Sequence, residues 1–265
     1  MNSHFYKCFK QAFIKLFVFN LPGVSIANKA KILYYKKDSF EGCVIECFNI
    51  DNYLEKLILQ CKESFGGRLV YVGLQGSWLR GEATENSDID VMIVLDRLSV
   101  EDMKTYRDIL KDVGWFEKSC GFICGKEDLA NWNPLESLQL KYTTKDLFGK
   151  LENLLPPATR QDEVNYVKIS LGNFYHENCH RYIHGGEEKS RNKLRASCKQ
   201  LYFVIQNLHY LENGKFLLKK NDLKAAVSAE DREMLCIPEL PDDYDFEKTY
   251  TAVIAWCQKA FARIK

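Results

Sequence analysis

The chain has 265 residues, of which 46% are hydrophobic and 28% charged, enough for one large or two modest domains that each bury a core. Thirty-seven Lys and Arg against 36 Asp and Glu leave a net charge of +1. That balance argues against a dedicated nucleic-acid coat or a polybasic membrane binder. Ten cysteines are scattered along both halves with no C-x-x-C pair, the pattern of reduced thiols in a cytoplasmic protein rather than of a disulfide framework.

Residues 1–50 form an amino-terminal extension of uncertain character. The apolar stretch from His4 to Leu21 is interrupted by Lys7, Lys10 and Lys15, so it reads neither as a membrane span nor as a signal peptide. Asp51 is the expected cap of a helix carrying Leu54, Leu57, Ile58 and Cys61, which Gly66 and Gly67 end. Two apolar runs, Leu69 to Leu74 and Ile89 to Leu95, read as buried strands, and Ser119 to Cys124 as a third. Between the second and third, Ser99 caps a helix with Glu101 and Asp102 in its first turn and Gly114 beyond its end. Residues 51–157 are thus an α/β unit. After Pro156 and Pro157 the segments Gln161 to His184, Lys189 to Glu212 and Phe246 to Ile264 are helix-periodic, which makes residues 158–265 an all-α bundle.

The chemistry concentrates in VYVGLQGSWLRGEATENSDIDVMIVL, Val70 to Leu95. A buried strand ends in Gln75-Gly76-Ser77, where glycine permits close backbone approach to a ligand and serine adds a hydroxyl beside exposed amides, a cradle suited to phosphate. Ten residues separate Ser77 from Asp88, and Asp88 and Asp90 at i and i+2 share one face of the next strand. Two adjacent carboxylates repel unless a cation lies between them, and Mg²⁺ favours a few carboxylates plus substrate phosphates. The combination describes a site for a nucleoside triphosphate with its metals.

Gly76-Ser77 followed by Asp88-Ile89-Asp90, with Arg80-Gly81-Glu82-Ala83 and Ser87 between, resembles the signature of the polymerase-β-like nucleotidyltransferases, in particular their antibiotic-modifying and minimal members. The resemblance implies a mixed sheet flanked by helices, ATP as the donor, two Mg²⁺ ions, and nucleotidyl transfer with loss of pyrophosphate. It assigns Gly76 and Ser77 to the triphosphate and Asp88 and Asp90 to the metals. Ser87 would position Asp88, and Arg80 would either contact phosphate or pair with Glu82 or Glu85. A second stretch, Tyr202 to Lys224, is similar to a segment of streptomycin and spectinomycin adenylyltransferases, in which Lys215 and Lys219 match two lysines facing the triphosphate.

One feature departs from the family. A third carboxylate usually comes from a neighbouring strand, and alignment on Trp132 places Cys120 there, a poor Mg²⁺ ligand. Glu127 just after that strand is the preferred substitute, Glu117 just before it the other, and a site with no third carboxylate stays open. The three histidines His176, His180 and His184 recur every fourth residue without a fourth-ligand pattern and are read as a polar helix face rather than a metal site.

The expectation is a nucleotidyltransferase that moves AMP from ATP to a hydroxyl of a small molecule, aminoglycoside-like antibiotics first, with Glu127, Asp88 and Asp90 as catalytic carboxylates. No membrane or nucleic-acid partner is expected. The alternatives are a protein-AMPylating, antitoxin-like enzyme and a non-catalytic nucleotide-binding module.

Overall fold

The computed structural model describes residues 32–33 and 46–265. The stretch from His4 to Leu21, and with it most of the expected extension, lies outside the described residues. Ile32–Leu33 and Glu46–Cys47 form a two-residue antiparallel ladder.

Helix α1 (Ile50–Phe65) buries Tyr53, Leu54, Leu57, Cys61 and Phe65 at the three- and four-residue spacing of one apolar stripe. Its cap is Asn49, whose side chain accepts the Asn52 N–H at 3.0 Å, and the expected cap Asp51 lies instead in the first turn. The two residues serve equally well chemically. What decides is that Asn49 keeps extended backbone while Asp51 is already helical.

Four strands follow: β1 (Leu69–Leu74), β2 (Ile89–Leu95), β3 (Ser119–Gly125) and β4 (Lys145–Phe148). Their order is β3-β2-β1-β4, with β1 antiparallel to both β2 and β4 and β2 parallel to β3, so the sheet is mixed as expected. A short helix, α2 (Gly76–Arg80), leaves the end of β1, and helix α3 (Val100–Val113) provides the crossover that parallel pairing of β2 and β3 requires. Ser99 and Asp102 make a reciprocal capping box at the start of α3. Arg68, just before β1, bonds both Asp102 and Asp96 and so fastens the β1, β2 and α3 ends that lie together at one end of the sheet.

Alternation along β2 sorts its side chains into two cores. Ile89, Val91, Ile93 and Leu95 face α1 and α3, whereas Met92 and Val94 join Tyr71, Cys124 and Leu129 on the other face. The second face also receives Trp132, edge-on to Phe122 at 5.1 Å, beside helices α4 (Lys126–Ala130) and α5 (Pro134–Thr143). Asp88 and Asp90 fall in the same alternating series as Met92 and Val94, at its open end.

The carboxyl half is helical: α6 (Arg160–Gly185), α7 (Glu187–Cys198), α8 (Leu201–Asn213), α9 (Lys220–Ala226), α10 (Ala229–Cys236) and α11 (Phe246–Arg263). The single helix expected from Lys189 to Glu212 is two. At Lys199 and Gln200 the backbone switches to bonds three residues back, Lys199 N–H to the Ala196 carbonyl and Gln200 N–H to Ser197, which tightens the turn and interrupts the α-helical ladder. Phe174, Leu194, Leu201, Leu223, Val253 and Cys257 lie at the centre of the bundle core. The bundle meets the sheet domain through α5, where Asn207 donates to Gln139 at 2.8 Å.

Asp231 is 2% exposed and accepts the Trp256 indole N–H at 2.8 Å and two Arg263 N–H groups at 2.7 and 2.9 Å, tying α10 to α11. Burial alone would raise the Asp231 pKa, but the hydrogen bonds from Arg263 and Trp256 outweigh it and hold the carboxyl below its ordinary value. A folded pKa below the unfolded one means that the stabilisation is complete above about pH 4 and is lost as pH falls through the depressed folded value. We therefore expect Asp231→Ala to cost about 2 kcal/mol at pH 7, and the difference from wild type in urea melts to shrink at about pH 3.

Candidate active site

β1 runs out at Leu74, and the next residue is clasped from two sides. The Gln75 N–H donates to the Asp90 carbonyl at 2.9 Å, and the Gln75 side-chain amide donates to Thr144 Oγ1 at 2.8 Å. Gly76 then opens α2 with φ at +66°, and a Cβ placed there would lie 1.9 Å from Oδ2 of Asp90. Only glycine fits on both counts, so the backbone of the turn lies directly against the carboxylate. Ser77 follows in the first turn of α2, and its carbonyl accepts the Glu82 N–H at 2.9 Å.

The loop back to β2 is closed by a turn in which Ser87 N–H donates to the Thr84 carbonyl at 3.0 Å and Thr84 N–H donates to Ser87 Oγ at 2.9 Å. Ser87 thus shapes the loop, where the sequence suggested that it holds Asp88. Asp88 is exposed and Asp90 half-buried, at the end of the sheet where β1 finishes and β2, β3 and β4 begin.

The parallel register pairs Asp90 with Cys120. Cys120 therefore shares the face of Asp90, and it is exposed. Partial burial of its sulfur and the neighbouring Asp90 carboxylate push the thiol pKa up.

Glu127 does not belong to this cluster. The same register pairs Leu95 with Gly125, so Glu127, in α4 beyond Gly125, stands at the opposite end of the sheet. Five residue steps separate that pair from Asp90 and Cys120, about 17 Å along the strands. Glu117, in the short 3₁₀ turn Phe116–Lys118 before β3, is at the right end and exposed. Among the described residues no three His, Cys, Asp or Glu side chains are gathered as a metal site. Two carboxylates side by side still fit Mg²⁺, which completes its shell with water and phosphate oxygens. His176, His180 and His184 are exposed along α6, with neighbouring rings 6.3 and 4.6 Å apart.

Arg80 pairs with Glu82 at 2.9 Å and lies 5.9 Å from the Tyr202 ring centroid, so of its two expected roles the ion pair is the one formed. The loop carrying Lys215 and Lys219 joins α8 to α9. Gln206 and Tyr202 donate to the Leu217 and Leu218 carbonyls, and Phe216 stacks on Tyr142 with 4.7 Å between centroids. The Lys220 N–H donates to Glu82 at 2.7 Å, which brings Lys219 beside the Arg80 loop, while Lys215 precedes Phe216 at the start of the loop. Both lysines are exposed. Sequence reasoning named Gln75, Tyr202 and, as a partner of Arg80, Glu82, without their contacts to Thr144, Leu218 and Lys220, and it missed Thr144 altogether. Thr144 was hidden because β4 has only four residues and little apolar alternation.

Residues 54–149 match the family model of the nucleotidyltransferase domain, and this part of the chain is a nucleotidyltransferase domain. The solved spectinomycin adenyltransferase AAD(9) from Enterococcus faecialis, with ATP and spectinomycin, is similar with a TM-score of 0.52 over 82% of this chain and 99% of the other, at 13% identity. That likeness establishes a common fold. A protein of Methanocaldococcus jannaschii, named by inference a protein adenylyltransferase, is 34% identical over 64 residues, 23% of this chain. The chain spans 44% of the length of that relative. A toxin-antitoxin structure with AMP-PNP overlaps 48% of this chain and 91% of its own, with a TM-score of 0.28 and 21% identity. Among the described residues no helix is long and apolar enough to cross a membrane.

The contact between Gly76 and Asp90 yields a direct test. Gly76→Ala adds a left-handed backbone cost of about 1 kcal/mol and forces the Asp90 carboxylate aside. We expect thermal unfolding to remain cooperative at a slightly lower midpoint, while Mg²⁺-dependent ATP affinity measured by calorimetry falls at least about tenfold.

Proposed function

We propose that the protein is an adenylyltransferase that transfers AMP from ATP to a hydroxyl of a small-molecule acceptor, aminoglycoside-like antibiotics being the first class to examine. The observation that carries this reading is the placement of the Gly76-Ser77 turn against Asp90, with Asp88 beside it, at an open sheet end that the lysine-bearing loop of the bundle also reaches.

In this reading the α2 turn and Ser77 receive the triphosphate, and Lys215 and Lys219 supply positive charge toward its leaving end. Asp88 and Asp90 would hold Mg²⁺, which when bound supplies charge neutralisation to the reacting phosphate. The acceptor oxygen attacks the α-phosphorus in line, the bond to the β-phosphate oxygen breaks, and pyrophosphate departs. The acceptor proton is released to water at this face, where Asp88, Glu117 and Cys120 are all exposed. The helical half, docked through Gln139 and Asn207, closes one side of the cleft and offers surface for the acceptor.

Cys120 favours a second reading. A neutral thiol opposite Asp90 cannot act as the third carboxylate, and a site left with two carboxylates suits a nucleotide-binding module that does not turn over. The two readings separate in one assay. Pyrophosphate release from ATP is measured with Mg²⁺ across aminoglycosides, spectinomycin and lincosamides, in wild type and in the pair Asp88→Asn with Asp90→Asn. The adenylyltransferase reading predicts acceptor-dependent release that falls at least about a thousandfold in the paired variant, and a rise in rate for Cys120→Glu. Tight ATP binding without release, unchanged by Cys120→Glu, overturns it in favour of the binding module, and release only when a polypeptide is supplied points to a protein acceptor.

A further inference from the structure

Glu82 is bonded to both halves of the molecule. Its N–H donates to the Ser77 carbonyl at 2.9 Å, so its backbone is tied to the triphosphate turn itself. Its carboxylate accepts Arg80 Nε at 2.9 Å on one oxygen and the backbone N–H of Lys220, 138 residues away, at 2.7 Å on the other. These are side chains at a joint rather than on an open surface: Arg80 is 15% and Glu82 24% exposed. Below them lies Tyr202 of α8, with Arg80 5.9 Å and Lys220 Nζ 5.7 Å from its ring centroid, while the Tyr202 hydroxyl donates to the Leu218 carbonyl at 2.5 Å. One carboxylate and one aromatic ring therefore hold the Arg80 loop of the sheet domain and the loop from Leu217 to Lys220 of the bundle in a single arrangement.

We propose that Glu82 is a positioning residue that docks the lysine-bearing loop of the bundle onto the Ser77 turn, so that Ser77, Arg80 and Lys219 form one anion-binding edge only while its carboxyl oxygen holds the Lys220 amide. The anion is the triphosphate of the proposed function, and the inference rests on that reading. The chemistry supports a dock more than a phosphate ligand, since a carboxylate repels a phosphate and is useful here only for what it holds. A charge-assisted bond to a backbone N–H across a domain joint is stronger than a neutral one, and it fixes the chain direction at the start of α9. It also explains why the Arg80-Gly81-Glu82 stretch has its acid two residues beyond the arginine. At that distance the Gly81 turn, with φ at +70°, folds the carboxylate back over Arg80 and toward the bundle.

Two measurements test the dock in the full chain. The first is amide hydrogen exchange at Lys220. The second is calorimetric affinity for a non-transferable ATP analogue with Mg²⁺. Glu82→Ala removes the acceptor, and the expected result is Lys220 exchange faster and analogue affinity weaker, each by about tenfold. Glu82→Gln keeps a carbonyl oxygen for the Lys220 N–H and loses the charge together with the acceptor for Arg80 Nε, and both readouts are expected within about threefold of wild type. A purely structural role would not be rescued by glutamine in affinity and exchange together. Should Glu82→Ala fail to fold, Lys220→Pro removes the same hydrogen bond from the donor side. Lys220 is the first residue of α9, where proline is favoured, and Lys219 before it is already extended, with φ −87° and ψ 140°. The inference is overturned if Glu82→Ala or Lys220→Pro binds the analogue as tightly as wild type, or if Glu82→Gln loses as much as Glu82→Ala. A wild type that binds no nucleotide while its Lys220 amide stays protected overturns the proposed function, and the anion-binding edge with it.

Discussion

The site depends on how closely a backbone can approach a carboxylate. At the end of β1 the chain must turn into α2 within one residue of Asp90, and two contacts enforce this: the Gln75 N–H on the Asp90 carbonyl and Gly76 against the Asp90 side chain. The first is a continuation of the β1–β2 ladder, so the sheet itself delivers the turn to the carboxylate. The second leaves no room for a side chain. Because β2 pairs with β1 on one side and β3 on the other, the position of Asp90 also determines what stands opposite it, and in this chain that residue is Cys120. Repulsion between the paired carboxylates is unfavourable, and a cation between them would relieve it.

The two parts of the chain share this end of the molecule through both polar and aromatic contacts, Tyr142 of α5 packing against Tyr210 and Phe216 of the bundle. Gln139 with Asn207, and Glu82 with Lys220, cross the joint, and each part keeps its own apolar core.

Much of this was legible in the chain because the relevant signals are local. β1 and β2 are continuous apolar runs, Ser99 with Asp102 is a cap written in four residues, and the Gly-Ser and Asp-x-Asp spacing depends only on a strand, a turn and a strand. The misses are of the opposite kind. Glu127 is near Cys120 in sequence, yet a strand of seven residues carries it to the far end of the sheet, and only the parallel direction of β2 and β3 reveals which end holds the chemistry. β4 is too short to show alternation, so Thr144 and its bond to Gln75 were invisible. The break at Lys199 and Gln200 has no proline or glycine to mark it, since the ladder there changes only its hydrogen-bond spacing. The dock at Glu82 joins residues 138 apart, and nothing in either segment names the other.

The central claim is that this sheet end performs nucleotidyl transfer, and the position of a label in ATP tests it most directly. With an accepted acceptor and Mg²⁺, ATP labelled at the α-phosphorus is predicted to pass its label to the acceptor, while ATP labelled at the γ-phosphorus returns all of its label in pyrophosphate. Label reaching the acceptor from the γ-position, or inorganic phosphate as the only labelled product, would contradict the account.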